Sequence, residues 1–118
     1  MEQSYPLVGI RVLELGSCTI TPYIGKLFTD AGADVLKVES PEGDPFRTWS
    51  ASHATIPDGE DSAWWRFLNA GKRIATLDLE TLEGHRAFLD LVAETDLVLD
   101  DHKPEDTERL NITPEEIR

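Results

Sequence analysis

Residues 6–39, PLVGIRVLELGSCTITPYIGKLFTDAGADVLKVE, carry the pattern that decides the fold. Two short apolar runs, Ile10–Leu15 and Val35–Val38, are rich in leucine and β-branched residues, as is typical of strands covered on both faces. The segment between them has helical periodicity, with apolar residues at Ile24, Leu27, Phe28 and Ala31. A Thr-Pro pair precedes it and Gly32 ends it. We predict a right-handed strand–helix–strand crossover, which places ligands at the carboxyl ends of its strands.

The remainder of the chain predicts further elements of the same kind. A polar, turn-rich loop over Ser40–Ser62 leads to a short aromatic helix at Ala63–Leu68 and a cationic turn at Asn69–Arg73. The expected elements that follow are a strand at Ile74–Leu79, a helix at Thr81–Glu94, a strand at Asp96–Leu99, a polar connection at His102–Ile112 and a helix that opens at Thr113-Pro114. The sequence shows no internal repeat.

These elements predict one α/β domain over residues 1–118. We expect a Rossmann-like parallel sheet of about four strands flanked by helices, in the order 3-2-1-4. One shared core is expected from Leu13, Leu15, Leu27, Phe28, Val35, Val38, Leu77, Leu89 and Val98. Gly16–Thr21 does not match the dinucleotide fingerprint G-x-G-x-x-G, and the sequence has no P-loop, so the fold alone indicates no function.

Composition excludes several classes of partner. The 118 residues carry 11 basic and 23 acidic side chains, for a formal charge of -12. Such a surface repels nucleic acid and anionic membranes. No apolar run approaches the roughly 20 residues that a membrane span needs. Cys18 is the single cysteine, so no internal disulfide can form, and we expect a cytoplasmic protein.

Several blocks of this sequence occur together in one known family. They are PLVGIRVLELG, GADVLKVESPEGDPFR, NAGKRIATLDLETLEGH, TDLVL and ERL. In order and spacing they resemble the amino-terminal region of the family III CoA-transferases, the CaiB/BaiF group that includes formyl-CoA transferase, carnitine CoA-transferase and α-methylacyl-CoA racemase. The resemblance implies a Rossmann-like domain that binds coenzyme A and forms an interlocked dimer.

The resemblance also implies where the chemistry lies. The family's transferases use an aspartate that becomes acylated, and its racemases use a histidine and aspartate pair. Both sets are expected beyond residue 118, so no residue of this chain is assigned a catalytic role. Coenzyme A or an acyl-CoA is expected as a substrate, with no permanently bound cofactor. The candidate contacts to CoA are Lys72, Arg73, Arg47, Cys18, His102 and Lys103.

The sequence departs from the family's pattern at three turns. Ile20-Thr21-Pro22 replaces a smaller Ala-Gly-Pro, and Asn69–Arg73 has lost one cation. After the fourth strand, Asp100–Glu105 replaces an asparagine, an aromatic residue and an arginine that grip CoA in the family. The two carboxylates introduced there oppose the CoA phosphates. We therefore expect weak or absent CoA binding.

Each candidate has a plainer alternative. Lys72 and Arg73 can be solvated turn charges, and Arg47 can form an ion pair with Asp44 or Glu39. Cys18 has no visible activating partner and is expected to be a half-buried thiol. The aromatic cluster of Trp64, Trp65 and Phe67 could stack on an adenine, but more often such a cluster is a satellite core.

The remaining polar groups predict no further site. Five acidic or histidine side chains crowd one loop, at Asp100, Asp101, His102, Glu105 and Asp106. Their spacing matches no zinc or EF-hand template, so no metal site is predicted and a solvated acidic loop is expected. His53 and His85 are expected at the surface.

The sequence therefore supports two hypotheses on function. In the first, the chain is the CoA-binding-type domain of a CoA-transferase or acyl-CoA racemase, and it acts on an acyl-CoA only together with a downstream part. In the second, it is a degenerate, non-catalytic domain that serves dimerisation or scaffolding. In either case we expect a homodimer or association with the rest of the enzyme.

Overall fold

A computed structural model of the chain describes residues 4–16 and 20–117. The strands and helices, in chain order, are β1 (Arg11–Leu15), α1 (Ile20–Asp30), β2 (Asp34–Glu39), a 3-10 helix (Pro45–Thr48), α2 (Ala63–Asn69), β3 (Arg73–Thr76), α3 (Leu82–Ala93), β4 (Leu97–Asp100) and α4 (Pro104–Arg109). All strand pairs are parallel, in the order β3-β2-β1-β4. The predicted α/β class and strand order are confirmed.

Local sequence signals set the helix ends. Gly32 follows α1 with φ +100°, and a Cβ there would lie 2.5 Å from Cβ of Tyr5, so the turn into β2 requires glycine. Thr81 caps α3, because its side chain accepts a hydrogen bond from the N–H of Gly84. Among the described residues, no helix is long and apolar enough to cross a bilayer.

The sheet has a core on each face, since successive strand residues point to opposite sides. One face buries Leu13, Leu15, Leu36 and Val38 with Phe88 of α3. The other buries Val12, Ala33 and Val35 against Phe28 of α1. The single shared core predicted from the sequence is therefore wrong, because its members divide between the two layers.

Three further expectations are corrected. Leu27 was expected in the core, but it is 50% exposed because it lies on the outer face of α1. The expected polar connection after β4 contains helix α4, which begins at Pro104. The expected helix at Thr113 is only a turn within the described residues, in which the Glu116 carboxylate accepts hydrogen bonds from the Thr113 backbone and hydroxyl.

Candidate functional site at the carboxyl edge of the sheet

Two cavities that share part of their lining open where the strands end, and we call them together the carboxyl-edge crevice. The larger, of about 330 Å³, lies between the segments that follow β2 and β3, the loop after β4 and helix α4. The smaller, of about 110 Å³, lies over the ends of β1 and β2. Ser40, Leu79 and His102 line both cavities. In open parallel sheets this edge is where ligands bind.

Among the cavities larger than these, one of about 400 Å³ shares Leu79, Glu80, Arg109 and Leu110 with the crevice, and two others lie elsewhere. One, of about 710 Å³, runs between α3, β4 and the last described residues, and includes Leu89, Leu97 and Ile117. The other, of about 610 Å³, is lined by aromatic residues that include Trp49, Trp64 and Phe67. Because volume alone does not identify a ligand site, the carboxyl-edge crevice is the better candidate on topological grounds.

His102 is held in the crevice by the residue that ends β4. One oxygen of Asp100 accepts hydrogen bonds from the His102 backbone N–H at 2.9 Å and from Nδ1 of the ring at 2.5 Å. The hydrogen bond to Asp100 raises the pKa of His102, and it outweighs the opposing effect of burial. With Nδ1 bonded to Asp100, Nε2 is the ring nitrogen that can bind a ligand.

Asp101 lies against the end of β1. Gly16 has φ +120°, and a Cβ at this position would overlap the carboxylate of Asp101. Strands β1 and β4 are neighbours, and the strand order reverses between them, because β2 and β3 lie on the other side of β1. The Asp101 carboxylate therefore lies at the switch point of the sheet. A negatively charged ligand meets unfavourable charge here.

Arg109 of α4 lines the larger cavity and was not among the candidates found from the sequence. Its guanidinium forms an ion pair with Glu80 and lies 3.7 Å from Asp106. The hydrogen bond to Glu80 raises the pKa of Arg109. Arg109 belongs to the ERL block that was noticed in the sequence. Because residues 102–112 were expected to form a connection without a helix, the sequence did not predict that Arg109 lies at this edge.

Beneath the crevice lies a cluster of four buried charges, Glu14, Lys37, Asp44 and Lys72, which we call the buried charge cluster. The Lys37 ammonium lies 3.1 Å from Oε2 of Glu14 and 2.9 Å from Oδ2 of Asp44. It also donates to the carbonyl oxygen of Gly16 at 3.5 Å. Asp44 in turn caps the 3-10 helix, because its Oδ1 accepts from the N–H of Phe46 at 2.8 Å. Lys37 therefore ties the end of β1 to the loop after β2.

Lys72 enters the same cluster from the turn before β3. Its ammonium lies 2.6 Å from Oε1 of Glu14 and donates to the Pro22 carbonyl and to Oδ1 of Asn69, each at 2.9 Å. Burial lowers the pKa of Lys72, and the adjacent Glu14 carboxylate opposes this only in part. The side chain has no exposed surface, so ligand contact by Lys72 requires rearrangement.

Arg47 adopts one of its two alternative ion pairs. It forms a double hydrogen bond with Glu39, at 2.9 and 2.7 Å, and a single one with Asp61 at 2.8 Å. Its guanidinium lies 3.8 Å from the centroid of the Trp65 ring. The other alternative partner, Asp44, pairs with Lys37. This arrangement fastens the loop after β2 to the sheet.

Burial alone would raise the pKa of Glu39, but hydrogen bonds from Arg47 and from the Asp44 backbone lower it overall. The same hydrogen bond to Glu39 raises the pKa of Arg47. Both groups are therefore charged at neutral pH.

Arg73 and Lys103, two further candidate contacts to CoA, lie apart from the crevice. Arg73 is the first residue of β3, at the amino edge of the sheet, where it pairs with Asp34 at 2.9 Å. The hydrogen bond to Asp34 raises the pKa of Arg73. Lys103 is exposed just before α4. Cys18 lies outside the described residues. Of the described candidates, His102 is the one that lines the crevice, and contact to CoA stays a prediction for all of them.

The aromatic residues form a partly exposed series rather than the satellite core that was expected. Trp65 is buried, whereas Phe67 is 51% exposed. Trp64 lies 6.1 Å from Trp49 and 6.0 Å from Phe67 between ring centroids. His53 is exposed as expected, while His85 is half-buried and bonded to the Asn111 carbonyl.

One group in the acidic loop has the proximity that metal binding requires. Ligand atoms of Asp100, Asp101 and His102 lie within 4.8 Å of one another. The hydrogen bond from Nδ1 of His102 to Asp100 accounts for much of this proximity, and exposed acidic groups commonly lie this close without an ion.

The parallel sheet and its flanking helices define a Rossmann-like α/β domain with a crevice at the carboxyl edge. Comparison with known proteins gives the family. The profile of CoA-transferase family III matches residues 7–118. The chain belongs to this family, and the resemblance found in the sequence is confirmed.

Relatives named as CoA-transferases match along nearly the whole chain. The succinate–glutarate CoA-transferase of Agrobacterium fabrum is 38% identical over 116 residues, which are 96% of this chain and 29% of that protein. The succinyl-CoA–D-citramalate CoA-transferase of Chloroflexus aurantiacus is 38% identical over 113 residues, 95% and 27% of the respective chains. This chain thus spans less than a third of the length of these relatives.

A solved structure shares the fold. The crystal structure of a CaiB/BaiF family protein from Brucella suis superposes with a TM-score of 0.87 and 37% identity, over 98% of this chain and 30% of that one. The four-stranded parallel sheet and its flanking helices are therefore an arrangement that this family uses.

Proposed function

We propose that this chain provides the CoA-facing part of a CoA-transferase or acyl-CoA racemase, and that it acts on an acyl-CoA only with further residues that supply the nucleophile or the acid and base. Membership of the family, together with a crevice at the sheet's carboxyl edge, carries this proposal. Acyl transfer through a carboxylate requires that group beside the thioester, and racemisation requires two positioned groups. A cytoplasmic location stays a prediction.

The charges of the crevice support weak rather than tight binding of CoA. Arg109 is the cation in the lining of the larger cavity, and Glu80 and Asp106 lie close to it. Asp101 occupies the end of β1. Phosphate groups approaching this edge meet more negative than positive charge. We expect a dissociation constant for CoA weaker than about 0.1 mM.

Titration calorimetry with CoA, and an assay for acyl-CoA turnover, test this function. The unmodified chain should bind CoA weakly and turn over no acyl-CoA. A double variant, Asp101→Asn with Lys103→Arg, should bind more tightly because it restores the family's uncharged and guanidinium groups. Micromolar binding by the unmodified chain would contradict the weakened site, and turnover would contradict the assignment of chemistry to residues outside it.

A second function, association without catalysis, is favoured by one observation. Several exposed large apolar residues lie on α1, α2 and the loop between β2 and α2, namely Ile20, Tyr23, Leu27, Trp49 and Phe67. Exposed apolar patches of several hundred square ångströms usually mark interaction sites. We propose that the chain forms a homodimer or associates with the rest of the enzyme. Light scattering that shows a stable monomer at all micromolar concentrations would contradict this.

A further inference from the structure

We propose that His102, oriented by Asp100, is the proton-dependent contact for a phosphate group in the carboxyl-edge crevice, so that an anion binds there together with a proton. The inference rests on the proposed function in naming CoA as the ligand. Its chemistry is broader and applies to any phosphate-bearing compound that fits the crevice.

The geometry is specific to one ring nitrogen. His102 lines both cavities of the crevice, and its Nδ1 lies 2.5 Å from Oδ1 of Asp100. The same oxygen also accepts the His102 backbone N–H at 2.9 Å, which fixes the ring relative to the end of β4. Nδ1 therefore donates to Asp100 in both charge states. Protonation changes Nε2 from a hydrogen-bond acceptor into a charged donor, which is the form that contacts an ionised phosphate oxygen.

The charges around His102 are mostly negative, so the proton on its ring matters for the binding of an anion. Asp100, Asp101 and Asp106 all favour the protonated ring. The other charged groups that line the two cavities are Glu39, Glu42, Asp44, Asp78, Glu80 and Arg109. Of these Arg109 alone is positive, and it is already paired with Glu80. Protonation of His102 thus adds the positive charge that an anion needs in a crevice rich in carboxylates.

The direction of the pH dependence follows from linkage. An anion at Nε2 favours the protonated ring, so the pKa of His102 is higher in the complex than in the free chain. Affinity is therefore greatest below the pKa of the free chain and falls as pH rises through the pKa of the complex. The total decrease is about tenfold for each unit by which the anion raises that pKa.

The test follows CoA and inorganic pyrophosphate binding by NMR from about pH 5.5 to about pH 8.5, together with the His102 ring resonances. The phosphates of both ligands also change charge in this range, so the variants are compared at each pH: affinity should decrease with rising pH more steeply in the unmodified chain than in His102→Gln, which keeps only the ligand's own contribution. In Asp100→Asn the decrease should move to lower pH, because the ring loses the negatively charged acceptor that raises its pKa. His53→Asn is the control: His53 is exposed with φ 61°, which asparagine tolerates, and this change should leave the profile unaltered.

The outcomes separate this inference from the proposed function. Equal affinity at every pH, or the same pH dependence in His102→Gln, would overturn the inference while CoA binding stands. If pyrophosphate raises the pKa of His102 but CoA binds at no pH, the inference stands and the proposed function fails. If neither compound binds, both fail.

Discussion

The Nζ atom of Lys37 lies 3.1 Å from Oε2 of Glu14, and neither side chain has any exposed surface. These residues face each other from adjacent strands, on the side of the sheet that α1 covers. The contacts from Oε1 of Glu14 to Lys72 and from Oδ2 of Asp44 to Lys37 are ion pairs by distance, without good hydrogen-bond angles. Such a cluster is stable only while every charge keeps its partner.

Replacing Lys37 with methionine should therefore destabilise the fold strongly. The variant leaves Glu14 and Asp44 buried with fewer opposite charges, and loss of one partner from a buried pair costs about 3–5 kcal/mol. Urea unfolding gives the change in the free energy of unfolding. Arg73→Met is the matched control, because its pair with Asp34 is largely exposed, and it should cost no more than about 1 kcal/mol. Equal costs for the two variants would contradict a structural role for the cluster.

Gly25→Ala should destabilise the domain although alanine favours helices. A Cβ at this position of α1 would overlap Oε1 of Glu14 and lie 3.0 Å from Nζ of Lys72. Overpacking of this kind costs about 1–3 kcal/mol, more than the gain in helix propensity. Thermal unfolding of this variant is compared with that of Gly9→Ala. Gly9 has φ +91° and open space around its Cβ, so Gly9→Ala reports backbone strain without overpacking. A stabilised Gly25→Ala variant would show that α1 does not approach the cluster so closely.

Glu39→Gln should show a stability loss that depends on pH. The folded-state pKa of Glu39 lies below its usual 4.5, so its ionised form contributes stability above that value, and this contribution is lost as pH falls through the folded-state pKa. At neutral pH the variant should lose about 1.5–3 kcal/mol, as for a hydrogen bond to a charged group. Urea unfolding across pH should show the difference shrinking in acid. Glu60→Gln is the control, because Glu60 is exposed. If it lost as much unfolding free energy at neutral pH, the account of Glu39 would be contradicted.

Leu27→Ala and Phe88→Ala should differ widely in cost. Leu27 is 50% exposed, whereas Phe88 has no exposed surface and lies in the core on the α3 face. Truncation of a buried phenylalanine costs about 3–5 kcal/mol, and we expect less than about 1.5 kcal/mol for Leu27. Calorimetric unfolding of both variants measures this. Equal losses would place Leu27 in a core and contradict the orientation of α1.

The fold could be predicted from the sequence where local chemistry determines it. Gly32 ends α1 and Thr81 caps α3, because each requires only its own turn. Four short apolar runs separated by helices indicate a Rossmann-like half, and the observed strand order is the one usual for that fold. The prediction for Leu27 was wrong because helical spacing suggested an apolar face that includes it, whereas α1 buries Thr21, Pro22 and Gly25.

The site was harder to predict. Glu14 and Lys37 lie in buried strands, where a charge is normally excluded, and only the pairing of β1 with β2 brings them together. The position of Arg109 depends on helix α4. This helix was not predicted, because the acidic residues around Arg109 suggested a solvated loop. His102 was found because a resemblance drew attention to its position, whereas its hydrogen bond to Asp100 required the structure.

The central claim is that CoA binds at the carboxyl edge of the sheet, and the most direct measurement is an NMR titration of the labelled chain with millimolar CoA. We predict that the largest amide shifts occur at Leu79, His102 and Arg109, in the crevice lining. Phe67 in the aromatic cavity and Arg73 at the amino edge should change little. Shifts centred on the aromatic cavity or the amino edge, or no shifts at saturating CoA, would contradict the account.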